Sequence, residues 1–449
     1  MNDIVLALLV FLVAVAFIVW GTAYRNLNPF FVLLLAAFGT GLLAGLPPTQ
    51  LIEAVKTGFG DTMSKIGILI LLGTVLGVLM EKTGATISLA NFILNKVGRK
   101  NAPLANSLTG FTVGLPIFCD SGFIILSGLN KALTRSAQFA MPLMATALAT
   151  GLYAVHCLVP PHPGISAASG TIGADIGQVM LWGILLAIPA AAAGHFWAKK
   201  TSAQYVDKEE FSNELTLEKQ VETGFSTHSP ALAALPVILP ISLIGLKTVL
   251  LFDADPETLS RSFGAQFLSF IGEPLVALLL SIAAVLLFLK QKNARANEWL
   301  TEGIAKAGLV LAITAAGGAF GNILKVTNIG GVLGNALATL HLGIWLPFLL
   351  AMLLKIAQGS STVAVIAAAS LVSPMLSQLG FESEWDKVAV TLAMGAGSMA
   401  ISHGNDSYFW VVARFSEIEP KVMYRVYSTA TLVMALTAQS LIWVVTMIL

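Results

Sequence analysis

Ionisable side chains inside apolar stretches are the part of this sequence that could do chemistry. Five of them stand beside prolines or glycines that interrupt an apolar run: Asp120, His156, His162, His403 and Asp406. Such residues are rare within a membrane, where they mark ligand and proton pathways. Burial disfavours the charged form of a carboxylate and of an imidazolium alike, so both are drawn towards their neutral forms. We predict that these residues carry protons. The alternatives are helix capping by the aspartates and simple packing by His403.

The run from Val155 to Gly164 must break any helix that contains it. Prolines occupy positions 160, 161 and 163. Each proline lacks an N–H and restricts the residue before it to extended geometry. Unpaired backbone groups at membrane depth are tolerated only where protein buries them or where they line a wet cavity. The alternative is a kinked helix whose histidines bond nearby carbonyl groups.

Three further interruptions are predicted at 116–122, 358–362 and 402–407. With 160–164 they supply helix N-termini, whose free N–H groups and dipole bind anions. Hydroxyl and amide side chains there both donate and accept hydrogen bonds, which suits a polyhydroxylated anion. Lys355, one turn before an interruption, could pair with that anion or extend to the membrane interface. The predicted substrate-binding residues are Asp120, Ser121, Gly122, His162, Gly164, Gly359, Ser360, Ser361, Thr362, His403, Gly404 and Asn405.

Composition places the whole chain in a membrane. The 449 residues are 56% hydrophobic and 11% charged, whereas a soluble domain carries about 25% charged residues. The apolar runs are continuous and of helical length, which indicates helices and not a β-barrel. A net charge of +1 gives no basic surface for nucleic acid. Cys119 and Cys157 lie in apolar segments and predict neither a disulfide framework nor a metal site, and no cofactor is predicted.

The order of segments is predicted to repeat. Each half has two spans, a polar piece, a third span, an amphipathic connector, a re-entrant hairpin, a broken helix and a final span. The first repeat is 1–197, with a hairpin at 103–133 and a broken helix at 137–175. The second repeat is 230–449, with a hairpin at 342–378 and a broken helix at 386–415. Residues 198–229 are polar and form the predicted linker. The remaining predicted spans are 4–20, 30–46, 66–80, 179–197, 230–250, 263–289, 307–325, 328–340 and 422–449.

The distribution of lysine and arginine predicts that the repeats are inverted. The connector 82–102 has four such residues and its counterpart 326–342 has none, whereas 47–65 has two and its counterpart 290–306 has four. Basic flanks remain in the cytoplasm, so equivalent segments face opposite sides, as in the inverted repeats of secondary transporters. The linker is then cytoplasmic and both termini lie outside.

Several local patterns stand along the chain: Gly58-Phe59-Gly60, Lys65-Ile66-Gly67, Gly110 to Gly122, Pro160-Pro161-His162-Pro163-Gly164, Gln358-Gly359-Ser360, Thr362-Val363-Ala364 and His403-Gly404-Asn405-Asp406-Ser407. Together they resemble the gluconate:proton symporter family of bacterial permeases. The resemblance implies proton-coupled uptake of gluconate or a related sugar acid across the bacterial inner membrane, although members of the family also take D-serine. It further implies an elevator fold like that of the ion-transporter superfamily, with two chains in a homodimer. Cys119, where a bulkier residue is expected, departs from the pattern.

Other functions remain as alternatives. A sodium-coupled carrier would use the unwound carbonyls with serine, threonine and asparagine oxygens as ligands. A passive channel lacks a ring of like charges. An intramembrane enzyme is disfavoured because His156 and His162 do not have metalloprotease spacing. The predicted partners are a small anionic substrate, protons and the lipid bilayer, with the homodimer and a static scaffold formed by spans 4–20, 30–46, 230–250 and 263–289.

Overall fold

A computed structural model describes residues 3–25, 27–205, 230–251, 262–288 and 293–448. Every regular element in these ranges is a helix, so the all-helical prediction is confirmed. Most of the predicted linker, 206–229, lies outside the described residues, and the preceding helix extends further than expected, to Ser202.

The described residues up to 205 form nine α-helices. Helix α1 continues into a π-helical turn at Trp20–Tyr24, and single turns of 3-10 helix lie at Arg99–Asn101 and Ala203–Tyr205. The α-helices are α1 (Asp3–Val19), α2 (Pro29–Leu43), α3 (Pro48–Lys82), α4 (Ala85–Val97), α5 (Ala102–Gly114), α6 (Cys119–Ala137), α7 (Met141–Leu158), α8 (Pro163–Ile172) and α9 (Ile176–Ser202).

In the second half, the described helices follow a similar order. A 3-10 turn lies at Ser373–Met375, and a π-helical turn at Tyr424–Ser428 joins the last two helices. These helices are α10 (Pro230–Leu250), α11 (Phe263–Ile271), α12 (Pro274–Phe288), α13 (Asn293–Val326), α14 (Ile329–Ala338), α15 (Trp345–Gln358), α16 (Ser361–Val372), α17 (Glu384–Ser398), α18 (Ser407–Phe415), α19 (Pro420–Met423) and α20 (Thr429–Ile448).

Two long helices replace segments that the sequence analysis divides. The polar piece and the span after it are one continuous helix in both halves, α3 with 35 residues and α13 with 34. Neither helix contains a proline after its first residues, so no hydrogen bond of the ladder is missing and nothing divides them. The predicted separation at residues 65 and 306 is therefore wrong.

The predicted span 263–289 is also not one helix. Helices α11 and α12 meet at an angle of 70°. Pro274 begins α12 and disfavours helical geometry at Glu273, which ends the first helix at this point. Counting this bent pair as one span, the described residues contain eight spans long and apolar enough to cross a membrane, and seven without it. The chain is therefore a multi-pass membrane protein.

Helices α3 and α13 cross at a point without bulky side chains. A Cβ added to Gly58 would lie 2.6 Å from the carbonyl oxygen of Gly318, so the two backbones approach as closely as glycine permits. Asn322 Nδ2 donates to the carbonyl of Ala54 across this contact at 2.8 Å. The pair forms the centre of the molecule and joins the two halves.

The same two helices support the hairpins and broken helices. On α3, a Cβ at Gly73 would lie 2.8 Å from Pro161, and one at Gly77 would lie 2.6 Å from the carbonyl of Pro116. On α13, a Cβ at Gly317 would lie 2.9 Å from the side chain of Ile366 in α16. Glycines at four-residue spacing therefore allow the irregular segments to lie directly against the long helices.

Candidate functional site

The chain unwinds inside the apolar region at four breaks. They cover 115–118, 159–162, 359–360 and 399–406, and each is followed by a helix N-terminus, of α6, α8, α16 and α18 respectively. The interruptions predicted at 116–122, 160–164, 358–362 and 402–407 thus fall at or beside real breaks. The first differs most, because Cys119 to Gly122 already form the first turn of α6.

The N-termini of α8 and α16 lie side by side. A Cβ on Gly164 would lie 3.1 Å from Thr362 Cα, which places the first turns of the two helices in contact. At their other ends, Ser373 Oγ donates to the carbonyl of Thr171 at 3.0 Å. The two helices are therefore parallel, and their positive dipole ends lie together.

Helices α6 and α18 form a second parallel pair. Near their N-termini the rings of Phe123 and Tyr408 are 6.2 Å apart. Near their C-termini Lys131 Nζ lies 2.5 Å from Glu417 Oε1.

Contacts between the breaks bring the two pairs together. His162 Nε2 lies 2.7 Å from the carbonyl of Gly114, which joins the second break to the first hairpin. Asn405 Nδ2 donates to the carbonyl of Ile356 at 2.8 Å, which joins the fourth break to the second hairpin. Gly164 and Thr362 connect the halves. All four helix N-termini consequently lie in one region.

The first-half cluster consists of Phe118, His156 and His162. The two imidazole rings are 4.9 Å apart, and the Phe118 ring lies 6.3 Å from that of His162. Because a carbonyl oxygen only accepts, the contact with Gly114 requires that His162 Nε2 carry a proton. His156 is buried, and its Nδ1 has no hydrogen-bond partner among the residues described. Both histidines are therefore held away from bulk solvent.

Asp120 differs from Asp406 because it has no cation within ion-pair distance among the described residues. It is half-buried in the first turn of α6, and its side chain accepts from Cys119 Sγ at 3.7 Å. Within the described ranges, Asp120 takes part in no ion pair. No side chain caps α6 or α8. The N-terminus of α6 therefore combines free backbone N–H groups with the carboxylate of Asp120, which has no ion-pair partner among the described residues.

The second-half cluster consists of Lys355, Gly359, Ser402 and Asp406. Lys355 Nζ lies 2.6 Å from Asp406 Oδ2, and their side chains are only 1% and 5% exposed. The ammonium also donates to the carbonyl of Gly359, and Ser402 Oγ donates to Asp406 Oδ2. Asp406 additionally caps α18 by accepting from the backbone N–H of Tyr408 at 3.0 Å. Lys355 is therefore buried and paired, and the interpretation that it extends to the membrane interface is wrong.

Tyr153 of α7 connects the two clusters. Its ring centroid lies 5.9 Å from Lys355 Nζ and 6.3 Å from the stacked ring of His156. Its hydroxyl donates to the carbonyl of Ser398 at 3.4 Å, and the side chain is buried. Sequence reasoning did not select Tyr153. The available signal was its position three residues before His156, on the same helical face.

The remaining predicted site residues divide by role. Ser360 caps α16 by accepting from the N–H of Val363 at 3.3 Å. His403 Nε2 lies 3.1 Å from the carbonyl of Ile356, which Asn405 also reaches. Ser121 is half-buried in the first turn of α6. Gln358, at the second hairpin tip, has both amide atoms buried without a partner in the described part of the chain, and sequence reasoning did not select it.

The four glycines at the breaks are explained by packing. A Cβ would lie 2.7 Å from Leu152 at Gly122 and 2.9 Å from Val365 at Gly164. At Gly359 it would overlap the backbone of Asn405, and at Gly404 the hydroxyl of Tyr424. Gly359 also has a φ of +82°, which a larger side chain rarely adopts. Their missing side chains let the breaks pack against neighbouring helices.

Helix ends that meet at a buried polar region of a multi-pass helical protein are the arrangement of secondary transporters. The fold is similar to that of a transporter of known structure, the YdaH transporter of Alcanivorax borkumensis. The TM-score is 0.64 at 14% identity, over 94% of this chain and 98% of that one.

The sequence comparisons define the family. The model of the GntP family permeases matches residues 6–448, and the chain belongs to this family. It is 30% identical to a gluconate permease of Pseudomonas aeruginosa over 94% of both chains. It is 28% identical to the D-serine transporter DsdX of Escherichia coli over 95% of both. The resemblance noted from the motifs is confirmed, and the protein is a transporter and not an enzyme.

Proposed function

We propose that the protein takes up gluconate or a related small sugar acid together with protons across the bacterial inner membrane. The similarity to a gluconate permease supports the class of substrate. The observation that carries the proposal is Asp120, a half-buried carboxylate without a cation, at the uncapped N-terminus of α6.

The substrate carboxylate binds at the N-termini of α6 and α8. These helices have no side-chain caps, whereas Ser360 and Asp406 already cap α16 and α18. Free N–H groups and the helix dipole stabilise a negative charge at such ends. The sugar hydroxyls bind Ser121, Ser361 and Thr362 near this point, with Gln358 as an additional donor and acceptor.

Asp120 couples the proton to the substrate. Two carboxylates that share a site cannot both stay ionised without repulsion, so an anionic substrate favours the protonated form of Asp120. Asp406 is less suited to this task because Lys355 neutralises it at 2.6 Å. His162 and His156 lie near Phe118, the N-cap residue of α6, and transfer the proton onward. His403 and Asp406 are the second choice for proton transfer.

The two halves act as inverted repeats in an elevator. Their helices follow the same order, with long helices α3 and α13, hairpins α5–α6 and α15–α16, and broken helices α7–α8 and α17–α18. The asymmetry of lysine and arginine supports an orientation with both termini outside and the linker in the cytoplasm. Large apolar side chains are exposed on α1, α2 and α10, which suits a scaffold, lipid contact and a homodimer interface.

Substituting Asp120 tests the coupling. Asp120→Asn keeps the shape but cannot titrate, so reconstituted protein should lose proton-driven accumulation of gluconate while retaining counterflow exchange. Asp61→Asn, on the exposed face of α3, is the matched control and should behave like the wild type. Accumulation by Asp120→Asn with unchanged pH dependence would exclude Asp120 and direct the search to Asp406 and His403.

A second candidate is uptake of D-serine or another small hydroxy acid, which the similarity to the D-serine transporter favours. A third is sodium coupling. Binding of four- to six-carbon sugar acids and of D-serine to purified protein separates the substrates. Uptake at fixed pH in sodium or choline chloride separates the driving ions.

A further inference from the structure

The ammonium of Lys355 has the surroundings of a bound monovalent cation. Its contacts are the backbone carbonyl of Gly359 at the second hairpin tip and the carboxylate of Asp406 in the fourth break. Ser402 Oγ donates a hydrogen bond to the same carboxylate. Carbonyl, carboxylate and hydroxyl oxygens from unwound segments are also the ligands with which transporters hold sodium.

The position of the ammonium is also favourable for a positive ion. Lys355 lies in the last turn of α15, where the helix dipole attracts cations. The ring of Tyr153 closes one side at 5.9 Å. The cationic nitrogen therefore sits among groups that would attract a free ion if the lysine were absent.

We propose that Lys355 is a built-in cation that occupies a latent sodium site between the second hairpin and the fourth break. The lysine makes the second-half cluster independent of external sodium, and ion coupling is left to the first half. This inference rests on the proposed function in so far as the breaks form the transport site. It assigns Lys355 the role of determining which ion drives transport.

Removal of the lysine tests the proposal by sodium binding alone. In purified Lys355→Ala at pH 8.5, replacing choline chloride by sodium chloride at constant ionic strength should raise Tm in a saturable manner, because a ligand that binds only the folded protein stabilises it. Wild type and Lys355→Ala/Asp406→Asn should show no rise. Lys387→Ala, which removes a surface lysine paired with Glu384, is the matched control and should also show none.

Each outcome decides the question. If Lys355→Ala is insensitive to sodium, or if the wild type responds equally, the proposal is overturned. Lys355→Ser provides the same test if the alanine variant is not recovered in folded form. Neither substrate nor a proton gradient is present, so the titration stands even if the proposed substrate or proton coupling proves wrong.

Discussion

The two hairpin tips of this protein are linked to the broken helices in different ways. In the first half, His162 at the N-cap of α8 donates directly to the tip carbonyl of Gly114 at 2.7 Å. In the second half, Asp406 at the N-cap of α18 reaches the tip carbonyl of Gly359 through the ammonium of Lys355. The position of the link is equivalent, but one link is a single imidazole and the other is a buried ion pair.

This difference indicates a division of labour. An imidazole can gain or lose a proton at Nδ1 while keeping its Nε2–H bond. A buried ion pair resists any change, because removing either charge leaves the other uncompensated. The helix caps follow the same division, since α16 and α18 are capped by side chains and α6 and α8 are not. We therefore propose that proton exchange belongs to the first half, whereas the ion pair of the second half holds its shape.

The largest effect on stability is expected from breaking the ion pair. Lys355→Ala in sodium-free buffer leaves Asp406 buried and unpaired, which should cost about 3–5 kcal/mol in the free energy of unfolding. Replacing both residues, as in Lys355→Ala/Asp406→Leu, should recover much of the loss. Unfolding in mild detergent followed by tryptophan fluorescence measures both. A double variant as unstable as the single one would contradict the assignment of a buried pair.

An intermediate effect is expected at the equivalent link of the first half. His162→Phe leaves the Gly114 carbonyl without its donor and should cost about 1–3 kcal/mol. His162→Gln can still donate, so it should fold normally but flatten the dependence of the uptake rate on pH. A wild-type pH profile for His162→Gln would show that the imidazole only supports the structure.

The smallest effect is expected at the helix caps. Ser360→Ala removes the cap of α16 and should lower stability by about 1 kcal/mol. Ser121→Ala removes no cap and should leave stability unchanged while weakening substrate binding about 2- to 10-fold, the equivalent of one hydrogen bond. Calorimetric titration with gluconate and thermal unfolding separate the two effects. Equal losses of stability would remove the distinction between capped and open helix ends.

Local chemistry made the breaks predictable. Prolines at 160, 161 and 163 cannot continue a helix, so the break there could be placed to within a few residues. At the second hairpin the signal is the glycine at position 359, because glycine readily adopts the left-handed φ found there. The first break is predicted at 116–122 but lies at 115–118. Asp120 and Gly122 resemble turn residues, although they lie in the first turn of α6. Asp and Ser are common both in turns and at helix N-termini, so the sequence signals of the two structures overlap.

Long-range partners were not predictable from the sequence. Lys355 and Asp406 are 51 positions apart and have no shared local pattern, so burial and interfacial exposure of the lysine could not be distinguished. Tyr153 lies in a wholly apolar stretch, where an aromatic residue ordinarily means packing. The sequence analysis divides α3 and α13, which are continuous in the structure, because their polar first turns resemble surface loops.

The crossing of α3 and α13 has a consequence for the synthesis of the protein. The bond from Asn322 to Ala54 joins residues 268 positions apart. At about 5–20 residues per second, the ribosome needs on the order of 10–50 s to deliver the partner of α3. During this interval the face of α3 around Gly58 lacks its partner helix, and only Gly73 and Gly77, which contact the first half, can pack. We therefore expect assembly within the membrane to wait for the second half, and chains that end before residue 293 to be targets of membrane proteases.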